Sequence, residues 1–321
     1  MTMIEAKVTK SMIRICLLDY PKAQQSALHG MRELFTVAWK QYKSRQRGRG
    51  LNIDILTVEQ VLASRQNFAY LIIPPNIEDN YVYAPHSILK EELHKRYQQG
   101  TTLVAICAGT FLLAQTGLLN GRPATTHWAL APAFEERYPE VKLDADKIIA
   151  DEGDLITAGG VMSWIDLSLY LIQRHMDMAT VRLVAKLFLI DLTNREQRFY
   201  RAFSPSLQHG DDQIIRVQKR MQTQFAEPFS IQDMASIASM SHRTFLRRFQ
   251  KATGLRPTKY LQQLRIQKAC ERLESTQDNI YAISLDVGYQ DIASFRKTFK
   301  SIVGLTPGQY RRRFFVPAEV E

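Results

Sequence analysis

Two hydrophobic rhythms alternate through the first part of the chain. The short apolar runs MIRICLLD (12–19), LNIDILTV (51–58), FAYLIIPP (68–75) and TTLVAI (101–106) have the length of buried parallel strands. Between them the period becomes helical. Leu28, Met31, Leu34, Phe35 and Ala38 recur at helical spacing across 24–43, and a second helix from Ser87 to Tyr97 is stopped by Gly100. SRQRGRG (44–50) reads as a solvated basic loop. DEGDLITAGG (151–160) reads as two short strands around Glu152, Gly153 and Asp154, leading from Thr157 to Gly160 into a helix that carries Asp166. Two helices rich in Leu, Ile and Val fill 162–192. Strands alternating with helices predict an α/β sheet covered on both faces.

After residue 193 the strand rhythm stops. NREQRFYRAFSPSLQHGDD (194–212) is polar and aperiodic, the mark of a domain boundary, and His209 reads as a linker residue without chemistry. The remainder is helical throughout. Ile214, Val217, Met221 and Phe225 form one stripe, and Ser230 with Asp233 makes a capping-box-like start to a short helix over 231–238. A turn at Ser239 and Met240 leads to a longer helix ending at Thr253, which makes a helix-turn-helix. Fifty positions on, the pattern returns: Phe245, Phe249, Gly254, Leu255, Pro257 and Tyr260 fall on Phe295, Phe299, Gly304, Leu305, Pro307 and Tyr310. One supersecondary unit is used twice. The second copy runs from Ile280 to Val303 around a turn at Gly288, Tyr289 and Gln290, after a helix over 263–274. At helical spacing the phenylalanines belong to the core, which leaves His242, Arg243, Arg247 and Arg248, and Arg296, Lys297 and Lys300, facing outward.

Composition adds where this charge sits. Of the net +10, residues 211–321 carry +7, from 18 Lys/Arg against 11 Asp/Glu; residues 1–210 carry 24 against 21. A basic helical domain beside a near-neutral one fits contact with a polyanion, although basic surfaces also serve solubility alone. Outward arginines on such a helix either grip guanine edges or bind phosphates. With 45% hydrophobic and 10% aromatic residues the chain is a folded, soluble type, and no run approaches the roughly 18 apolar residues of a membrane span. The first residues, MTMIEAKVTKSMIRICLLDY, lack a signal peptide's apolar core and small-residue cleavage site, so a cytoplasmic protein is expected. Cys16, Cys107 and Cys270 are too few and too scattered for a disulfide framework or a zinc site, so no metal and no cofactor is expected.

The chemistry-bearing stretch of the first domain is CAGTFLLAQTGLLNGRPATTHW (107–128). A cysteine on a small-residue turn between a buried strand and a helix has the arrangement of a nucleophile elbow, with His127 as a candidate general base. A buried structural cysteine accounts for the same residues. This stretch, with DEGDLITAGGVMSWIDLSLYLI (151–172), resembles the class I glutamine amidotransferase-like (ThiJ/intracellular-protease-like) superfamily, in particular its sensor branch fused to regulators. The resemblance spans roughly 12–190. It implies a flavodoxin-like sandwich, a homodimer, and a ligand pocket at Cys107, Ala108, His127 and Gly160. One feature departs from the enzymes of that superfamily. Their first helix brings an acidic residue to the nucleophile; QQSALHGM (24–31) has Ala27 there and Met31 in place of a proline, while Asp19 is nearby in sequence. Without that carboxyl group the acid/base partner is missing, which favours ligand sensing over catalysis.

From about 213 to 314 the chain resembles the AraC/XylS family of transcription regulators. The match includes SHRTFLRRF (241–249), the spacing of Arg265, Ala269 and Leu273, the run from Val287 to Phe299, and GLTPGQYR (304–311). Carried over by position, the family's base-reading sites are His242, Arg243, Leu246 and Arg247 in the first copy, and Ile292, Ala293, Arg296 and Lys297 in the second. The expected organisation is an amidotransferase-like domain over 10–192, a linker over 193–212, and an all-α DNA-binding domain over 213–316 with helix-turn-helix motifs at about 231–253 and 280–303. The expected partners are a double-stranded DNA operator, a small-molecule effector, a second copy of the chain and RNA polymerase. The competing expectation is a cysteine-dependent hydrolase or hydratase using Cys107, with a DNA-binding appendage.

Overall fold

A computed structural model describes residues 12–45, 50–192 and 195–317. Residues 1–11, read above for a targeting segment, and positions 46–49 of the basic loop lie outside this range. Two compact units meet in sequence between Gln197 and Arg198, inside the stretch read as the linker.

The four apolar runs form β1 (Ile13–Asp19), β2 (Leu51–Thr57), β3 (Tyr70–Ile73) and β4 (Thr102–Ile106). Between and after them come α1 (Gln25–Arg45), α2 (Val58–Ala63), α3 (Asp79–Tyr83), α4 (Ser87–Gln98) and α5 (Gly109–Ala114). The unit continues with β5 (Pro123–Ala124), α6 (Ala131–Arg137), β6 (Lys142–Leu143), β7 (Ile149–Asp151) and β8 (Leu155–Ala158). It closes with α7 (Ser163–His175) and α8 (Met178–Leu187). The sheet order is β2-β1-β3-β4-β8-β7, parallel except for β7, which pairs antiparallel with β8. That is the flavodoxin-like order with an added antiparallel edge. Strands β3 and β8 are buried at every position, because helices cover both faces of a parallel sheet and leave no alternation of polar residues. One helical layer is α1 packed on α7 and α8; another is α5 packed on α3 and α4.

The second unit contains α9 (Asp212–Thr223), α10 (Ile231–Ile237), α11 (His242–Thr253), α12 (Pro257–Ser275), α13 (Ile280–Asp286), α14 (Ile292–Val303) and α15 (Pro307–Phe314). Its core is two clusters, and the repeated aromatics explain why. Phe249 lies 5.4 Å from Phe245 and 5.3 Å, edge-on, from Tyr260; Phe299 lies 5.7 Å from both Phe295 and Tyr310. Each helix-turn-helix therefore closes its own phenylalanine pair with a tyrosine from the following helix. Ser241 and Asp291 cap the starts of α11 and α14, and Gly254 and Gly304 end them in the left-handed conformation. Ser230 and Asp233 form the expected capping box on α10. The long α12 runs through both clusters: Tyr260, Leu261 and Leu264 serve the first, and Ile266, Ala269, Cys270 and Leu273 the second. No helix of the described residues is long and apolar enough to cross a membrane.

Candidate nucleic-acid interface and ligand pocket

With Phe245 and Phe249 turned inward, about 100° of rotation per residue carries Arg243 and Arg247 to the opposite side of α11. Both are exposed, as is His242 at the helix start, whereas Leu246 is half-buried against the first core cluster. In α14, Ala293, Arg296 and Lys297 are exposed and Ile292 is half-buried. The side chains of His242, Arg243, Arg247, Arg296 and Lys297 make no hydrogen bond or ion pair among the described residues.

Arg248 differs from the neighbours with which sequence periodicity grouped it. Its guanidinium donates to both carboxylate oxygens of Asp211, at 2.9 and 2.7 Å, and to Gln213 at 3.2 Å. Asp211 also caps α9, and the Arg248 guanidinium holds its carboxyl below the usual range. Arg248 thus fastens α11 to the start of α9 and is not available to a ligand. His209, in the same segment, bonds to Gln218 at 2.7 Å, so it too is part of the local structure.

In the first unit, Cys107 occupies the turn from β4 into α5 with φ of 57°, a strained value for a residue with a side chain. Its N–H donates to Ala158 O at 2.7 Å, which ties the elbow to the end of β8. Cys107 and Ala108 are buried, at 2% and 1% exposure. Thr126 Oγ1 donates to Cys107 O at 2.7 Å, bringing the segment that ends in His127 beside the elbow. His127 is half-buried, its Nδ1 accepts from Ala129 N at 3.1 Å, and burial lowers its pKa. Gly160, at φ of 96°, follows β8. Ala27 is completely buried at the place of the enzymes' acid, and Asp19 instead accepts from Gln25 at 3.0 Å. Tyr20 donates to Pro74 O at 2.8 Å, and burial first, then the neighbouring Cys107, raises its pKa.

One residue of this region escaped sequence reading. Gln197, the last of the first unit, is 2% exposed. Its Nε2 donates to Thr126 O at 2.8 Å, Lys147 O at 2.9 Å and Thr125 Oγ1 at 3.1 Å, and its Oε1 accepts from Trp128 N at 3.0 Å. Its backbone N–H donates to Asp146 O at 2.8 Å. Gly159 makes room for it: a Cβ there would lie 1.9 Å from Gln197 Nε2. Two residues earlier, Arg195 is paired with Asp166. The signal available in the sequence was the glycine pair at 159–160 and a glutamine two residues before the aromatic pair Phe199 and Tyr200, neither of which has a period.

Comparison with known proteins gives a family for each unit. Residues 35–174 match the DJ-1/PfpI family, and residues 234–313 match a helix-turn-helix domain. The HTH-type transcriptional regulator GbdR of Pseudomonas aeruginosa is 25% identical over 221 residues, 68% of this chain and 60% of that protein, so the chain spans about 60% of that relative's length. The HTH-type transcriptional regulator GlxA of Rhizobium meliloti is 27% identical over 233 residues, 72% of this chain and 71% of that one. Among solved structures, a putative transcriptional regulator from Vibrio parahaemolyticus is 20% identical, covering 55% of this chain and 98% of its own, with a TM-score of 0.47. The chain therefore joins a DJ-1/PfpI-family domain to a C-terminal helix-turn-helix domain of the AraC type.

Proposed function

We propose that the protein regulates transcription by reading double-stranded DNA with α11 and α14, under control of a small molecule taken by its DJ-1/PfpI unit. The observation that carries this reading is the contrast along α11. Arg248 is consumed by Asp211, while Arg243 and Arg247, one turn apart on the outer face, are exposed with no partner among the described residues. A planar guanidinium left open on a helix that fits the major groove can take guanine O6 and N7 together. Arg296 and Lys297 supply cationic contacts from α14, where Ile292 and Ala293 offer only apolar contact to thymine methyls. The first copy then carries most of the base preference.

The test is affinity for an operator selected from random DNA by the full chain. Arg247→Ala weakens specific binding by about 1–3 kcal/mol, roughly 5- to 150-fold, and relaxes the preference at one base position. Arg248→Ala leaves that base preference in place and lowers stability instead. An Arg247→Ala protein with unchanged operator affinity sinks the assignment.

The effector reading is supported by an elbow that retains its strained cysteine while Ala27 replaces the acid. The φ of Cys107 also favours a second reading, a reactive thiol in a hydrolase. The two separate on the rate of thiol labelling against pH. Sensing predicts slow labelling that rises only toward a thiol pKa at or above about 8.5, with regulation intact in Cys107→Ala. Fast labelling at neutral pH and loss of regulation in that variant would favour the enzyme.

A further inference from the structure

We propose that Arg265 fixes the placement of α14 relative to α11, and so determines how many base pairs separate the two sub-sites the protein accepts. This rests on the reading of α11 and α14 as DNA-reading helices. Arg265 sits on α12 at the change between cores: Leu264 before it belongs to the first cluster and Ile266 after it to the second. Its guanidinium is a three-pronged clamp on main-chain oxygens. Nε donates to Phe225 O at 2.8 Å and Nη2 to Glu227 O at 2.9 Å, both in the loop between α9 and α10. Nη1 donates to Gly288 O at 3.0 Å, in the turn between α13 and α14. One rigid planar group therefore holds the loop that precedes the first helix-turn-helix and the turn of the second.

Three other features act at the same seam. Gly288 has φ of 88°, and a Cβ on it would lie 2.5 Å from Ala226 O, so the two main chains touch with no side chain between them. Phe225 packs on both clusters. The aromatic ring of Tyr289 lies 5.8 Å from the Arg265 guanidinium and covers it on one side. The turn held in this way ends at Asp291, the cap of α14, so the clamp bears on the start of the second recognition helix. Without the clamp the lobes would still be joined by α12, by the ring of Phe225 and by the contact of Gly288 with Ala226, but by no hydrogen bond from Arg265.

A stabilising arginine and a spacing-setting arginine differ in one readout. The full chain is measured on its selected operator and on versions with one base pair added or removed between the sub-sites. Each such step turns the second sub-site by about 34° and moves it about 3.4 Å. Wild type is expected to lose about tenfold or more on the altered spacings, the scale of a mismatched contact. Arg265→Ala is expected to bind all three spacings within about threefold of one another, and DNA carrying the first sub-site alone within about twofold of wild type. Arg265→Lys keeps the stem and the charge but loses the planar fork; it should fall between them, and it carries the test if the alanine variant does not fold. Equal weakening on every spacing and on the single sub-site, or an unchanged spacing preference, overturns the inference. If wild type binds the single sub-site as tightly as the whole operator, the reading of α14 fails first, and this inference with it.

Discussion

Phe249→Ala is expected to destabilise the helical unit by about 3–5 kcal/mol while leaving the α/β unit untouched. The ring is completely buried, tilted against Phe245 and edge-on to Tyr260, so its removal opens a cavity inside the first cluster. The protein carries its own means of telling the units apart. Its three tryptophans, Trp39, Trp128 and Trp164, all lie in the first unit, so their fluorescence follows only the α/β unit, whereas helical circular dichroism follows both. In the variant the circular dichroism should develop an early melting phase, about 10 °C or more below wild type, with no change in the fluorescence transition. Operator binding should vanish above that early phase. A single transition shifted equally in both signals would mean that the units do not melt separately and that the first cluster is not an independent core. Phe299→Ala makes the matched experiment on the second copy.

What the sequence disclosed follows how local each signal is. The strands were legible because both faces of a parallel sheet are covered, so burial writes itself as an unbroken apolar run. The tandem motif was legible because each Phe–Phe–Tyr cluster is assembled within 16 residues. The short elements α2, α3, α6, β5 and β6 left no readable period, and in the helical unit α12 was cut short and α15 omitted. Their prolines, Pro257 and Pro307, end nothing: each stands in the first turn of a new helix, where the missing N–H is no loss. Site chemistry was less legible. Arg247 and Arg248 are adjacent and identical, and Asp211 and Gln213, 37 and 35 positions away, decide which of them is engaged and which is left exposed. Periodicity reports which side of a helix a residue is on, not what distant residue waits there. The elbow at Cys107 could be placed from its neighbours, but its closure by Gln197 could not, since the bonds span 50 to 72 positions.

Gln197→Ala is therefore the second large effect, and it falls on the other unit. The carboxamide satisfies two main-chain carbonyls, a hydroxyl and one N–H in a pocket that Gly159 leaves open for it. Removing it leaves Thr126 O and Lys147 O to share the one Thr125 hydroxyl proton, at 3.4 and 3.0 Å, so one of the two loses its donor while the Trp128 main-chain N–H loses its acceptor, at about 1–3 kcal/mol for each such group not reached by water. The loss should appear in the tryptophan transition, which follows the α/β unit. Gln197→Glu sharpens the test. It keeps the size and the acceptor for Trp128 but places a carboxylate against the oxygens of Thr126 and Lys147, and it should be no better tolerated than alanine above the usual carboxylate pKa. As pH falls and the carboxyl takes up a proton, it regains one donor. Its folded-state pKa is thus raised, and stability relative to wild type should recover toward acid pH. A fragment of the α/β unit ending at residue 192 should share the defect of the alanine variant, because it lacks Gln197; one ending at 197 should not. If the two fragments melt alike, the side chain merely rests in its pocket. If they differ, the Gln197 carboxamide holds Thr126 and Lys147 in place at the end of the first unit, and through Thr126 it bears on the main chain of the Cys107 elbow.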